Sequence, residues 1–234
     1  MLSTLAVRDR RPEVMDDPTL DPAAHRAALR GLARLNRWSR SDAILWPAIA
    51  KLAKAKGPLR VLDVATGAGD VPLGLWRRAK RAGLNVSFAG CDLSATALDH
   101  ARENARKAGA EVQFFLHDAI GQPLPDGFDV VTSSLFLHHL EEEQAVVVLG
   151  RMRAAAARSV MVNDLSRSRV GYVLAWLACR MLTRSWVVHT DGPLSVRAAF
   201  TPDEAAKLAE NAGLLPATVT DHWPFRFLLK WDRP

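Results

Sequence analysis

The apolar positions of residues 59–163 fall into two kinds of pattern that alternate along the chain. Short runs in which nearly every residue is apolar predict buried strands, and longer stretches with apolar residues at helical spacing predict helices. Strands that alternate with helices in this way predict an α/β fold with a doubly wound, mostly parallel sheet. The strands are expected at 59–65, 86–91, 112–117, 128–134 and 159–163, and the helices at 70–82, 94–108 and 141–157.

The segments on either side of this core carry helix and hairpin signals. The N-terminal segment predicts two helices, the first of which starts at Asp21 and Pro22, a good capping residue followed by a first-turn proline. Residues 201–204 form a capping box that begins another helix. The last two predicted strands, 216–223 and 225–231, are joined too tightly for a crossover helix and therefore predict an antiparallel hairpin.

An insert at 169–199 separates the fifth strand from this C-terminal part. Its run from 170 to 182 is almost wholly apolar, is interrupted by Arg180, and is too short to span a bilayer. A helix that is apolar on every side is expected to be buried. It either packs on the sheet edge or forms a lid over an apolar acceptor pocket, with contact to a membrane surface as a further alternative.

The clearest signal of a ligand-binding site is the turn after the first predicted strand, which contains Gly67 and Gly69. Glycine lets the backbone approach a ligand closely, and an acid at the end of the next strand, Asp92, can accept both hydroxyls of a ribose. A dinucleotide would need a third glycine where this chain has Pro72, and Asp70 would repel a pyrophosphate at the helix start. A cofactor with a cationic end and no phosphate fits better, which favours S-adenosylmethionine (SAM).

These residues resemble motif I of the class I methyltransferases. The family pattern is Asp/Glu-x-Gly-x-Gly-x-Gly, and the segment from Asp63 to Gly69 matches it with Ala65 in place of the first glycine. Three further motifs follow in family order at 91–94, 117–119 and 128–140. The resemblance covers residues 58–165 and is closest to the small-molecule branch that includes the ubiquinone and menaquinone methylases and phenolic-lipid O-methyltransferases.

The resemblance implies one Rossmann-like domain with a seven-stranded, mostly parallel sheet that ends in an antiparallel hairpin. Within that domain, it implies an N-terminal helical lid at 1–57, a SAM-binding core at 58–165, a substrate lid insert at 166–200, and a C-terminal helix and hairpin at 201–234.

The resemblance also implies roles for individual residues at the cofactor. Asp92 would meet the ribose hydroxyls, Asp118 would meet the adenine amino group, and Asp63 with Gly67 would face the methionine end. The full set of expected cofactor contacts is Asp63, Ala65, Gly67, Gly69, Asp70, Asp92, Leu93, Asp118, Ala119 and Ser133.

Taking the proton from an acceptor hydroxyl requires a base, and imidazole has a suitable pKa. His138 and His139 follow the fourth strand, where this fold places residues near the reacting methyl, and His189 lies in the insert beside Asp191, which would orient it. These three histidines are the catalytic candidates. Acceptor contacts are expected from Asn163, Asp164, Tyr172 and Trp176.

Several kinds of methyltransferase are disfavoured by the residues after the fourth strand. Metal-dependent catechol methylases carry an acid there, whereas this chain has Ser133 and Ser134, so no metal is expected. Amino-group methylases carry an Asn/Asp-Pro-Pro-Tyr/Phe motif there, which Ser-Ser-Leu-Phe does not match.

The net charge bears on the expected partner, and the cysteines bear on the expected cellular compartment. The net charge of +6 could indicate RNA, but the basic residues are scattered along helices and interleaved with acids, which is typical of solvated faces, so a nucleic acid is not the expected partner. Cys91 and Cys179 lie far apart and beside apolar runs, which indicates a reducing, cytoplasmic compartment.

The expected function is SAM-dependent methylation of a small hydrophobic acceptor, at the hydroxyl of a phenol, resorcinol or quinol of polyketide or lipid type. C-methylation of a quinol ring, RNA methylation and non-catalytic SAM binding are the alternatives.

Overall fold

The computed structural model describes residues 5–16 and 19–234, and their side chains except those at 16, 25, 29, 30, 32, 33 and 36–39. Seven strands form one sheet in the order β3-β2-β1-β4-β5-β7-β6. Strands β1 to β5 run parallel, and β7 lies antiparallel to both β5 and β6, which confirms the predicted fold. The strands are β1 Leu59–Val64, β2 Val86–Asp92, β3 Val112–Leu116, β4 Phe128–Ser134, β5 Ala156–Leu165, β6 Ala217–His222 and β7 Arg226–Asp232.

Helices cover both faces of the sheet. Because side chains alternate between the two faces along a strand, Val61 joins an apolar layer with α2 and α3, whereas Leu62 joins one with α5 and α8. The helices described are α1 Pro22–Ser39, α2 Ser41–Lys56, α3 Asp70–Ala82, α4 Ala95–Ala108, α5 Glu142–Ala155, α6 Arg169–Leu182, α7 Trp186–Ala198 and α8 Pro202–Asn211.

The fifth strand is longer than predicted at both ends. Helix α5 stops at Ala155 and β5 begins at the next residue, with no turn residue between them to mark the change. Pairing with neighbours defines this boundary, because Ala156 lies opposite Phe128 of β4 and its carbonyl accepts a hydrogen bond from the Arg233 side chain. Propensity alone does not separate helix from strand at adjacent alanines when tertiary pairing decides.

The insert folds as two helices, α6 and α7, and the described part of the chain covers α6 on one side only. Of its residues, only Gly171 and Cys179 are buried. The opposite side of α6 faces solvent, because no other described part of the chain covers it. The exposed apolar side chains there are Val170, Val173, Trp176, Leu177 and Met181. Among the described residues, no helix combines the length and apolar character needed to cross a bilayer.

A buried arginine ties the two ends of the insert together. Arg167 follows β5, and its side chain is 1% exposed. Its guanidinium donates to both carboxylate oxygens of Glu204 at 2.9 and 2.6 Å, and to the carbonyls of Ala199 and Leu5. Removing only one partner of such a buried ion pair strongly destabilises a protein, because the other charge is left without compensation.

We expect Arg167→Ala to lower the free energy of unfolding by about 3 kcal/mol, because it leaves the Glu204 carboxylate and two carbonyls without their donor. Urea denaturation followed by circular dichroism measures this change. The control is Arg169→Ala, two residues away and exposed, which should change the value by less than about 0.5 kcal/mol. Equal effects of the two substitutions would contradict the anchoring role of Arg167.

Candidate active site

The turn after β1 is held in a conformation that L-residues rarely adopt. The φ angle is positive at three positions of this turn, with values of 55° at Ala65, 55° at Gly67 and 78° at Gly69. A Cβ on Gly69 would lie 2.8 Å from the Phe114 ring, so glycine is needed there for packing as well as for φ. Alanine at 65 carries backbone strain that the first glycine of the family motif would not.

Asp63 lies beneath this turn and is 2% exposed. Its carboxylate accepts hydrogen bonds of 2.8 Å from the hydroxyls of Thr66 in the turn and Thr132 in β4. Burial raises the pKa of Asp63 to about 7. Asp63 thus braces the turn against β4, and its burial keeps the carboxylate away from the open side of the turn.

Two other acids stand at the ends of the neighbouring strands. Asp92 ends β2, and its two oxygens accept from the backbone N–H groups of Gly67 and Ser94 at 2.8 and 2.9 Å. Asp118 follows β3 and accepts from the N–H groups of Ile120 and Gly121, which hold the pKa of its carboxyl below the usual range. Parallel pairing of β1, β2 and β3 puts the turn and both acids at one edge of the sheet.

A buried histidine–aspartate pair lies at the same edge, between β4 and β5. His138 Nδ1 is 2.6 Å from an oxygen of Asp164, whose other oxygen accepts from the His138 backbone N–H at 3.2 Å. The side chains are 5% and 1% exposed. Burial alone would lower the pKa of His138, but the Asp164 carboxylate outweighs burial and raises it above 6.5. With Asp164 ionised, Nδ1 donates to it.

The next residue has the opposite electrostatics. The His139 ring lies against the His138 ring with centroids 4.2 Å apart. Burial, together with the neighbouring His138, lowers the pKa of His139 to about 3. His139 is therefore neutral across the physiological range, whereas His138 titrates above the usual range of histidine.

Both histidines line an apolar cavity of about 280 Å³. Its walls come from α6 (Leu174, Ala178), from the ends of β4 and β5 (Leu135, Leu165) and from the β6–β7 turn (Phe225). A few polar groups also line it, namely Glu13, Ser166, Ser195 and Arg226. Glu13, His138 and His139 each direct one donor atom to within 4.8 Å of the others.

Comparison with known proteins agrees with this architecture. A family model described as a methyltransferase domain matches residues 61–159. The demethylmenaquinone methyltransferase of Thermus thermophilus is 40% identical over 114 residues, which are 48% of this chain and 50% of that protein. The ubiquinone biosynthesis O-methyltransferase of Ralstonia nicotianae is 30% identical over 160 residues, 68% of this chain and 63% of that protein. The chain thus spans about half to just under two thirds of these curated relatives.

Solved structures share the fold. The apo form of the SAM-dependent methyltransferase SibL superposes with a TM-score of 0.68 at 18% identity, covering 99% of this chain and 65% of SibL. The plantazolicin methyltransferase BamL, solved with a triazolic desmethylPZN analogue and S-adenosylhomocysteine (SAH), has a TM-score of 0.67 at 17% identity and 90% coverage of both chains. At these identities the likeness concerns the fold alone.

Residues 61–159 thus match a methyltransferase domain, and the chain is similar to SAM-dependent methyltransferases in sequence and in fold. The segment of motif I and the strand-end residues Asp92, Asp118 and Ser133 lie at the carboxyl edge of the sheet. Ser133 is buried and donates to the carbonyl of Val64. Of the other expected cofactor contacts, Ala119 is buried and Leu93 is 69% exposed. Asp70 instead lines a separate polar cavity with Arg77 and Arg81 of α3.

Three candidates lie away from the cavity wall. His189 Nε2 is 2.8 Å from the carbonyl of Thr183, and Asp191 accepts from the N–H groups of Val14 and Met15 instead of orienting His189. Tyr172 and Trp176 do not line the cavity, because the helical period turns Gly171, Leu174, Ala175 and Ala178 towards it. The structure thus brings His138 and His139 together at the cavity but not these three.

The two strand-end candidates of β5 are buried below the cavity. Asp164 contacts His138 and is 1% exposed; Asn163 is 0% exposed, and neither atom of its amide has a hydrogen-bond partner among the described residues. Two charged cavity residues, Glu13 and Arg226, were missed from the sequence. Glu13 carries no sequence signal, but Arg226 could have been noticed as a charge at the start of an apolar strand.

Proposed function

We propose that this methyltransferase transfers the methyl group of SAM to the hydroxyl of a small hydrophobic phenol, resorcinol or quinol. The observation that carries this proposal is the His138–Asp164 pair, which is buried, hydrogen bonded and exposed on one side to an apolar cavity. A largely apolar cavity suits a hydrophobic acceptor, and a base within it suits an acceptor that must lose a proton.

The turn after β1 fits the cofactor that this proposal requires. A Cβ on Gly67 would meet nothing within 4 Å, so the chain leaves open space above the turn. Asp92 has acceptor capacity left for ribose hydroxyls, since each of its oxygens takes one backbone N–H. Asp118, which follows β3, is the acid that we assign to the adenine amino group. When bound, SAM supplies an electrophilic methyl group and is converted to S-adenosylhomocysteine (SAH).

The chain's part in the reaction is proton removal and exclusion of water. Asp164 fixes the His138 ring so that Nδ1 carries the proton and Nε2 is the nitrogen with a lone pair. The acceptor O–H donates its proton to Nε2 as the oxygen forms its bond to the methyl carbon. Asp164 then stabilises the imidazolium that results.

C-methylation of a quinol ring is the second candidate function. One matched relative is named a demethylmenaquinone methyltransferase and another a ubiquinone biosynthesis O-methyltransferase, so only one of the two names specifies oxygen as the acceptor atom. The same base serves both reactions, because a quinol must lose a hydroxyl proton before its ring carbon becomes nucleophilic. RNA methylation and non-catalytic SAM binding are outcomes that the assays below would reveal.

We also propose that the outer face of α6 rests on an anionic lipid bilayer. Its apolar side chains include Met181, which is 82% exposed, and Trp176, whose ring is covered by the Arg180 guanidinium at 3.9 Å. The exposed charges of the insert are basic, Arg169, Arg180 and Arg184, and its one acid, Asp191, is buried. Arginine and tryptophan beside an apolar helix face favour an anionic lipid interface.

We expect Asp92→Ala to weaken SAH binding at least about tenfold, because it removes the acceptor of the ribose hydroxyls and of the Gly67 N–H. Isothermal titration calorimetry measures the dissociation constant. Asp99→Ala, on the exposed surface of α4, is the matched control and should leave it unchanged. Wild-type affinity in Asp92→Ala would remove the ribose assignment.

We expect turnover to rise with pH along a limb centred above 6.5, because the base acts only when neutral and Asp164 raises the pKa of His138. Asp164→Asn should move that limb to lower pH, and His138→Gln should abolish it and lower kcat about 100-fold. The assay uses tritiated SAM with 5-pentylresorcinol, with pooled quinols and RNA as competing acceptors.

His139→Asn is the control for that profile and should leave the limb in place, since His139 stays neutral. EDTA should leave turnover unchanged, and a loss on chelation would mean that Glu13, His138 and His139 hold a cation. An unshifted limb in Asp164→Asn, or label recovered mainly in RNA, would contradict the proposal.

We expect the protein to sediment with vesicles of phosphatidylglycerol and phosphatidylcholine but not with phosphatidylcholine alone, and to dissociate as salt is raised. Met181→Asp should reduce binding at least about tenfold by placing a carboxylate at the interface. Val7→Asp, at a residue 75% exposed outside the insert, is the control. Equal binding to neutral vesicles, or no effect of Met181→Asp, would contradict docking through α6.

A further inference from the structure

A buried arginine in the cavity has no role in the reaction described so far. Arg226 is the first residue of β7 and is 4% exposed, yet it lines the cavity with His138. Its Nη1 donates to the Ser41 hydroxyl at 2.7 Å, and its Nε has no hydrogen-bond partner among the described residues. A guanidinium has five N–H donors, and a buried donor without a partner costs free energy.

The position of Arg226 is imposed by the sheet. It lies opposite Leu165, at the carboxyl end of β5, one residue beyond the Asp164 that holds His138. The preceding residue, Phe225, has a φ of 46°, and its carbonyl accepts from the Ser166 N–H at 2.9 Å. The start of β7 is thus fixed against β5 by a strained turn, which is the kind of strain found at functional sites.

The charge of Arg226 is not fully compensated by the protein. Asp164 is the acid that acts on it, and the oxygens of Asp164 already accept from the His138 ring and backbone and from the Leu165 N–H. Burial lowers the pKa of Arg226 to about 10, so it still carries its charge at neutral pH. An anionic oxygen in the cavity, against the part of the guanidinium that lines it, would balance this charge.

We propose that Arg226 binds a carboxylate of the acceptor, so that the acceptor class is an aromatic hydroxy acid with an apolar tail. This rests on the proposed function in taking the cavity as the acceptor site. The hydroxyl would face His138 and the carboxylate would face Arg226, with the tail along the apolar wall from α6. A monoanion matches a single guanidinium, whereas Glu13 and Asp164 disfavour a dianion such as a phosphate ester.

The test compares two probes that differ by the carboxylate alone. With SAH present at pH 8, calorimetry measures the affinity of 6-pentylsalicylate and of 3-pentylphenol. We expect wild type to bind the acid at least about tenfold more tightly, as a charge-assisted bond in a dry site allows. Arg226→Gln should reduce this preference to below about threefold, and Arg226→Lys should retain part of it.

Ser41→Ala is the control, because it removes the neighbour of Arg226 and keeps the guanidinium, so the preference for the acid should persist. SAH affinity and thermal unfolding of each variant report whether the fold is intact. Should Arg226→Gln not fold, the wild-type ratio and Arg226→Lys decide. Equal affinity of wild type for both probes, or a preference that survives loss of the guanidinium, would overturn the proposal.

Methyl transfer separates this proposal from the proposed function. Acid binding that depends on Arg226 without transfer of label from SAM would refute the methyl-transfer reaction and leave the carboxylate site in place. Transfer of label to 3-pentylphenol at the rate seen with the acid would do the reverse.

Discussion

The buried carboxylate of Asp164 is the constraint around which this site is organised. A carboxylate that is 1% exposed must be compensated locally, and here the compensation comes from the ring and backbone of His138 and from the Leu165 N–H. These bonds join β5 to the turn after β4, and they fix one tautomer of His138. The same negative charge acts on Arg226 at the start of β7. The turn after β4, strand β5 and the start of β7 therefore all interact with the charge of Asp164. Two of the groups involved, His138 and Arg226, are polar groups in the lining of the apolar cavity.

The fold and the cofactor edge could be predicted because their signals are local. A strand, a glycine turn, a helix and the acid after the next strand lie within about thirty residues, and parallel pairing necessarily brings such acids to one edge. Even at this edge, the sequence did not show which acid braces the turn and which acid lies at the open edge. Asp63 braces the turn through two threonine hydroxyls, whereas Asp92 lies at the open edge.

The acceptor side could be predicted only in part, because it is assembled from distant segments. His138 and His139 are adjacent in sequence and were equivalent as candidates, but contact with Asp164, 26 residues away, raises one pKa, and burial lowers the other to about 3. What covers the outer face of α6 could not be predicted for a related reason. An apolar helix is expected to pack against another apolar surface, but its sequence does not show whether that surface belongs to the same chain.

Arg8 in the N-terminal segment links the turn after β4 to the end of the insert. Its guanidinium donates to the carbonyls of His138 and Leu140 in that turn, and to the carbonyl of Ala198 at the end of α7. It also lies 3.9 Å above the Phe200 ring. One side chain therefore links the turn that carries His138 to the C-terminal end of α7, so the position of this histidine depends on a residue 130 positions earlier in the chain.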